Sequence, residues 1–255
     1  MGYYEGKDLE KPMEALILNG SPRGSRGVTG KLLQSLADGL VAGGASITGF
    51  RVAEMHIGPC SACLSCMHKH PGVCVQKDDM EQIYERLKVS ELLVLGTPVY
   101  TDTMTAQIKA VMDRSVCSLQ PFLTKDRAGR IRHSRWWNMP AKFLLVATSG
   151  FPEAETFNPL IATVKAQAAN MNSELIGCVC VPGSIALQAE PSKMAHHLEL
   201  LSRLGSAIAR TGEADRELLS ALNTPPLTVA EYLTTAASYE TWCRRKLGAA
   251  ARFSR

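Results

Sequence analysis

The sequence predicts a three-layer α/β sandwich built on a five-stranded parallel sheet, with a helical extension at its C-terminal end. Three observations lead there. Apolar runs of strand length recur at residues 15–18, 91–96, 142–148 and 175–181, with a weaker one at 45–52. The intervening segments place apolar residues at helical spacing, the alternation that calls for a parallel sheet covered on both faces. Three of the strand runs end in small, polar stretches, at residues 19–29, 97–101 and 148–151. Open α/β sheets bind ligands beside such ends, where the strand order reverses.

The first strand run, Ala15-Leu16-Ile17-Leu18, breaks at Asn19-Gly20 into a loop carrying Ser21, Arg23, Gly24, Ser25, Gly27 and Thr29. Leu32, Leu33, Leu36 and Leu40 then mark a helix, closed by Gly43-Gly44. A strand, a hydroxyl-rich loop and a helix start together form a seat for an anion, because free backbone N–H groups and the positive helix end converge there. The loop is neither a G-x-G-x-x-G dinucleotide fingerprint nor a G-x-x-x-x-G-K-[ST] nucleotide loop. Its hydroxyls and arginine suit a phosphate monoester such as that of FMN, which Arg23 can pair in a planar, bidentate manner.

Residues 45–52 form the second strand, with Phe50 and Val52 toward the core. Residues 55–77 are irregular, rich in Cys, Gly, Pro and His, and too long for a bare strand-to-helix connection. Asp78-Asp79 stands where a helix is capped, and Met80, Ile83, Tyr84 and Leu87 follow at helical spacing. The third strand leads into Thr97-Pro98-Val99-Tyr100-Thr101, and a helix over 104–119 turns Met104, Ile108, Val111 and Met112 to one side. Residues 121–140 read as a long, basic, Trp-bearing connection. The fourth strand, 142–148, ends at Ser149-Gly150; a helix over 158–170 precedes the fifth strand, 175–181. Beyond Pro182 the pattern is helical, at 192–211, 214–222 and 228–247. The expected organisation is an N-terminal tail (1–13), a ligand-binding domain (14–182) and a helical C-terminal extension (183–255).

Composition narrows the function classes. Hydrophobic residues make up 45% and charged residues 20%, ordinary for a globular chain. A net charge of +4 does not call for nucleic acid, and no run approaches the about 20 apolar residues of a membrane span. With no apolar signal region at the N-terminus, a cytoplasmic location is expected. Of the 8 cysteines, four fall in one short stretch, Cys60-x2-Cys63-x2-Cys66-x7-Cys74. In a reducing compartment that pattern reads as a metal or redox site rather than a disulfide framework. Three readings stand open: a [4Fe–4S] cluster, redox-active thiols without metal, or a structural zinc. Cys117, Cys178, Cys180 and Cys243 read as small hydrophobes, and His56 and His196-His197 lack the spacing that would join them to other ligands. The basic stretch 125–137, with Arg127, Arg130, Arg132, Arg135, Trp136 and Trp137, reads as a solvated loop lying over a neighbouring subunit; a flap for the 2′-phosphate of NADPH is the alternative.

Taken together, Gly20-Ser21-Pro22-Arg23 with Thr29, Thr97-Pro98-Val99-Tyr100, the helical KAVMDR of residues 109–114 and the cysteine segment of residues 60–79 resemble the NAD(P)H-dependent FMN reductases. More narrowly, they resemble the iron–sulfur flavoproteins of that flavodoxin-like group. The resemblance covers about residues 14–182. It implies the strand order 2-1-3-4-5, with the FMN phosphate at Ser21, Arg23, Val28 and Thr29. Pro98, Val99, Tyr100 and Thr101 would run beside the isoalloxazine ring, and Ser149 and Gly150 would contact it from the other side. Cys60, Cys63, Cys66 and Cys74 would be the cluster ligands, although the gap before Cys74 is longer than in that group.

The function implied is an FMN-dependent oxidoreductase that takes electrons from NAD(P)H and passes them to a flavin, quinone or other small acceptor, with no side chain needed as acid or base. An electron carrier without NAD(P)H turnover, and a zinc-stabilised interaction protein, are the rival classes. A homodimer or homotetramer is expected, with small-molecule or electron-transfer partners and neither nucleic acid nor membrane.

Overall fold

A computed structural model describes residues 12–126 and 128–247. Most of the expected tail, residues 1–11, and the last residues of the expected extension, 248–255, lie outside the described residues, as does Arg127. The described strands are β1 (Glu14–Asn19), β2 (Ser46–Arg51), β3 (Leu92–Pro98), β4 (Leu119–Lys125), β5 (Ile131–Arg135), β6 (Lys142–Thr148) and β7 (Glu174–Val181). The helices are α1 (Val28–Ala42), α2 (Ser65–His68), α3 (Met80–Val89), α4 (Ala106–Arg114), α5 (Asn158–Met171), α6 (Ser184–Leu187), α7 (Pro191–Thr211), α8 (Arg216–Asn223) and α9 (Val229–Leu247).

Five strands form one parallel sheet in the order β2-β1-β3-β6-β7, the architecture expected of the sequence. The order reverses at β1, so the C-terminal ends of β1 and β3 open a crevice between the loops that follow them. Period-2 alternation divides the strand residues between two cores. Leu16, Leu18, Leu93, Leu95, Phe143 and Leu145 pack against α3, α4 and α5. Ala15, Ile17, Leu92, Val94, Leu144 and Val146 face α1 and α7. The central strands are therefore buried on both faces, which is why they read as unbroken apolar runs.

Helix α7 completes the second layer, burying Met194, Leu200, Leu201, Leu204 and Ile208 beside α1. The two helices approach closely because each offers a glycine. A Cβ on Gly39 would stand 1.9 Å from the Ser202 carbonyl oxygen, and one on Gly205 would stand 2.3 Å from that of Leu36. A division of the chain at residue 182 would separate α7 from the layer it completes. Helix α9 lies outside this packing and buries none of its residues, though its Glu231 pairs with Lys193 of α7 at 2.7 Å. No described helix is long and apolar enough to cross a membrane.

Two local expectations are corrected. Residues 121–140 are not a bare connection: β4 and β5 form an antiparallel hairpin, closed where Asp126 Oδ1 accepts the N–H groups of Ala128 and Arg130, both at 2.9 Å. Asp–x–x–Gly is a turn signature, but the surrounding positive charge masks it. The helix expected over 104–119 stops at Arg114 and tightens into a 3₁₀ turn over residues 115–118 before β4.

Candidate functional site

Three strand ends meet above the switch point. After β1, Ser21 N–H donates to Asn19 Oδ1 at 2.9 Å, bending the chain into the first loop. That loop packs tightly on α1: a Cβ on Gly30 would stand 2.1 Å from the Gly24 carbonyl oxygen, so only glycine lets the first turn come so near. No side chain caps the N-terminus of α1. Its first backbone N–H groups thus remain open to an anion. Ser21 and Thr29 are buried, whereas Arg23 is exposed at the rim and makes no ion pair with a described residue.

The second loop is tied to the first. Thr105 Oγ1 donates to the Gly20 carbonyl at 3.0 Å, and Thr105 N–H donates to Thr97 Oγ1 at 3.1 Å. Between these anchors Thr101 and Asp102 adopt φ values of 47° and 62°. Two successive non-glycine residues in the left-handed region are strained, and strain of this kind collects where a loop is held for a purpose. On the third side, Val99 N–H donates to the Thr148 carbonyl at 2.7 Å, and the Thr29 and Thr148 hydroxyls are hydrogen-bonded at 2.8 Å.

Together these loops bound a cleft of about 340 Å³. Ser21, Arg23, Val28, Thr29, Pro98, Val99, Tyr100, Thr101, Ser149 and Gly150 all line it. Sequence reasoning missed a fourth wall. Ser184, Ile185 and Gln188 of and beside α6 also line the cleft, held there by a 2.8 Å hydrogen bond from Ser184 N–H to the Ser149 carbonyl. Pro182-Gly183-Ser184 was the signal for it, a fourth polar strand end after β7. The donor set suits a phosphorylated, partly apolar ligand: hydroxyls, an arginine and a helix N-terminus lie among Val28, Pro98, Val99 and Tyr100.

Residues 13–174 match the NADPH-dependent FMN reductase family. The chain belongs to that family. Among curated relatives, it is 34% identical to an iron–sulfur flavoprotein of Methanocaldococcus jannaschii over 121 residues, which span 46% of this chain and 59% of the relative. An iron–sulfur flavoprotein of Archaeoglobus fulgidus is 28% identical over 203 residues, 79% of this chain and 81% of the relative. Among solved structures, the NAD(P)H:quinone oxidoreductase of Methanothermobacter marburgensis shares the fold with a TM-score of 0.59 at 15% identity, over 78% of this chain and 98% of that one.

In this FMN reductase family member the cysteine segment bounds a second, smaller cavity. Arg114, with a side chain 1% exposed, reaches across from the end of α4 to hold it. Its guanidinium pairs with both Asp78 oxygens at 2.8 and 3.1 Å and donates to the Gly58 carbonyl at 3.0 Å and to Gln76 Oε1 at 3.1 Å. Burial pushes the Asp78 carboxyl up, but its bonds from Arg114 and from the N–H groups of Gly58 and Met80 outweigh that and hold it below the usual carboxylate range. Asp78 rather than Asp79 thus serves the start of α3; Asp79 Oδ2 instead accepts His56 N–H at 2.7 Å. Trp137, after the hairpin, packs edge-on to Tyr84 at 6.0 Å and donates to the Gly72 carbonyl at 3.3 Å. The basic stretch therefore ends by clamping the cysteine segment.

Cys60, Cys63, Cys66 and Cys74 line one small cavity, and Cys117, read as an ordinary core cysteine, lines it with them. Burial pushes the Cys117 thiol up to about 12, with Cys66 and Cys74 nearby adding to the effect. Thiols alone are the right chemistry for a thiophilic metal or cluster. Among the described residues, however, no three Cys, His, Asp or Glu side chains already converge on one metal position. The thiols are gathered rather than closed around a point.

Proposed function

We propose that this chain is an FMN-dependent oxidoreductase that draws electrons from NAD(P)H and delivers them to a flavin, quinone or other small acceptor. The observation that carries the reading is the cleft above the switch point: ten residues from three strand ends line one space beside an uncapped helix start. Ser21, Arg23, Val28 and Thr29 would hold the phosphate. Pro98, Val99, Tyr100, Thr101, Ser149 and Gly150 would orient the ring system. When bound, FMN would supply the redox chemistry that links a reduced nicotinamide donor to the acceptor. The protein's part is to fix the cofactor, present backbone N–H groups to it and leave one face accessible. Nothing in this chemistry requires a side chain to act as acid or base.

The cysteine cavity is the candidate for a second redox centre, an iron–sulfur cluster held by its thiols; the names of the relatives and the five cysteines in its lining support this. A homodimer or homotetramer, and a cytoplasmic setting, complete the proposal. Tyr100, Phe151 and Ile185 stand 51%, 65% and 50% exposed around the cleft, and a second copy would cover them.

The test is anaerobic purification followed by measurement of flavin, iron, sulfide and zinc, then mixing with NADPH. Bound or readily taken-up FMN that is bleached by NADPH is the expected result, and Arg23→Ala should weaken FMN binding roughly tenfold or more through loss of a charge-assisted bond. A chain that takes up no FMN overturns the reading. A flavin that stays oxidised in NADPH points instead to an electron carrier, and zinc without flavin to an interaction protein.

A further inference from the structure

The β4–β5 hairpin and the C-terminal ends of α4 and α5 bound a further cavity of about 510 Å³, larger than the cleft and sharing no lining residue with it. Met112, Val116, Leu119 and Met171 give it an apolar wall. Most of its charged groups are already matched. The Asp113 carboxylate is taken by Lys109 at 2.6 Å, and Arg132 pairs with Asp126 at 3.5 Å, beside Arg130 at 2.8 Å. His133 Nδ1 is hydrogen-bonded to the Gln120 carbonyl at 2.8 Å. Arg135 is different. Its half-buried guanidinium donates to the Ser118 hydroxyl and the Asn170 carbonyl, both uncharged, and meets no carboxylate among the described residues. On α5, Gln167 also lines the cavity, and its Oε1 is buried with no donor among the described residues. A half-buried cation without counter-charge and a buried acceptor without a donor each cost free energy until something meets them.

We propose that this cavity binds a small, partly apolar organic acid, with its carboxylate on Arg135, its apolar body against Met112, Val116, Leu119 and Met171, and a hydroxyl or N–H group donating to Gln167 Oε1. A guanidinium carries five N–H donors in a planar fork, so its bonds to Ser118 and Asn170 leave others for a carboxylate. Those same two bonds fix the fork between the hairpin and α5, so its orientation is set before a ligand arrives. Val116 lines the cysteine cavity as well as this one. The acid would therefore bind across a single 3₁₀ turn from the thiols, at a place separate from the cleft. The assignment does not depend on FMN binding, because the two spaces have no residue in common.

The probe is 6-hydroxy-2-naphthoate, a fluorescent acid with an apolar body and one hydroxyl, titrated into the whole chain with and without saturating FMN. The wild type should bind it with a Kd of about 0.1 mM or tighter, unchanged by FMN. Arg135→Gln should weaken binding roughly tenfold or more while FMN uptake stays as in the wild type. Plain 2-naphthoate, which lacks the hydroxyl, should bind the wild type several-fold more weakly, and Gln167→Leu should abolish that difference between the two acids. Circular dichroism of each variant checks that the hairpin and α5 remain folded, and the Gln167 comparison stands even if Arg135→Gln does not fold. Competition of the probe with FMN, or loss of its binding in Arg23→Ala but not in Arg135→Gln, would put the acid in the cleft and overturn the proposal. Absence of binding overturns it too; if Arg135→Gln then also dissociates an oligomer on gel filtration, a second copy of the chain fills the cavity instead.

Discussion

Replacing Arg114 with methionine would leave the Asp78 carboxylate buried without its partner and strip a donor from the Gly58 carbonyl. Breaking a buried pair from one side typically costs about 3–5 kcal/mol, whereas removing both charges together costs much less. Urea unfolding should therefore show Arg114→Met strongly destabilised and the double variant Asp78→Leu/Arg114→Met largely restored; equal losses in the two would contradict the pairing. His197 carries a different prediction. It is 4% exposed, its Nδ1 pairs with the Lys193 carbonyl at 3.1 Å, and its Nε2 has no partner among the described residues. Burial holds its folded pKa below the unfolded value of about 6.5, despite the opposing bond to Lys193. The unfolded chain therefore takes up the proton first, so this stability is present above about pH 6.5 and is lost as pH falls through the folded value. Unfolding free energies measured between pH 8 and pH 5 should slope downward toward acid, and His197→Gln should flatten that slope.

At the scale of elements, the first loop and α1 behave as one unit because Gly30 lets them touch. Gly→Ala inside a helix ordinarily stabilises by about 1 kcal/mol. Here the added methyl would meet the backbone oxygen of Gly24 at 2.1 Å, and backbone cannot swing aside as a side chain can. Gly30→Ala should reverse the usual sign, lowering stability by roughly 1–3 kcal/mol and weakening FMN uptake together. Thermal melts and flavin titration of the same sample check this, and a stabilised variant with intact flavin binding would refute it. Much of this unit was legible beforehand: an apolar run, Asn19-Gly20, hydroxyls and arginine, then leucines at helical spacing. The hairpin of β4 and β5 was not, because its outer faces are solvated and leave no apolar alternation to read. Its residues Phe122, Leu123 and Ile131 stand 64%, 65% and 56% exposed.

For the molecule as a whole, the placing of α7 has the largest consequence. A chain ended at residue 182 would keep all five strands of the sheet but uncover the α1 side. Met194, Leu200, Leu201, Leu204 and Ile208 would be lost from the second core, each contributing on the order of 1.5–3 kcal/mol when fully buried. Such a chain should be insoluble or fail to melt cooperatively, whereas one ended after α7 should keep a cooperative transition. If the chain ended at 182 folds and binds FMN, the domain division expected of the sequence is the right one.

Local pattern alone was enough to determine the five strands of the parallel sheet, the sandwich built on them and three polar strand ends, because buried strands and helix starts leave their mark on neighbouring residues. It was also enough to place Ser21, Arg23 and Thr29 on the first of those ends, whereas Tyr100 was named through the family resemblance. Only the tertiary structure decided which distant residues join them: Ser184 and Gln188 as a fourth wall, Arg114 and Trp137 as the clamps on the cysteine segment, and Cys117 among its thiols. The physical reason is that these contacts span long stretches of chain and depend on how helices pack across the sheet. A buried arginine or a core cysteine carries no local sign of the partner it will meet.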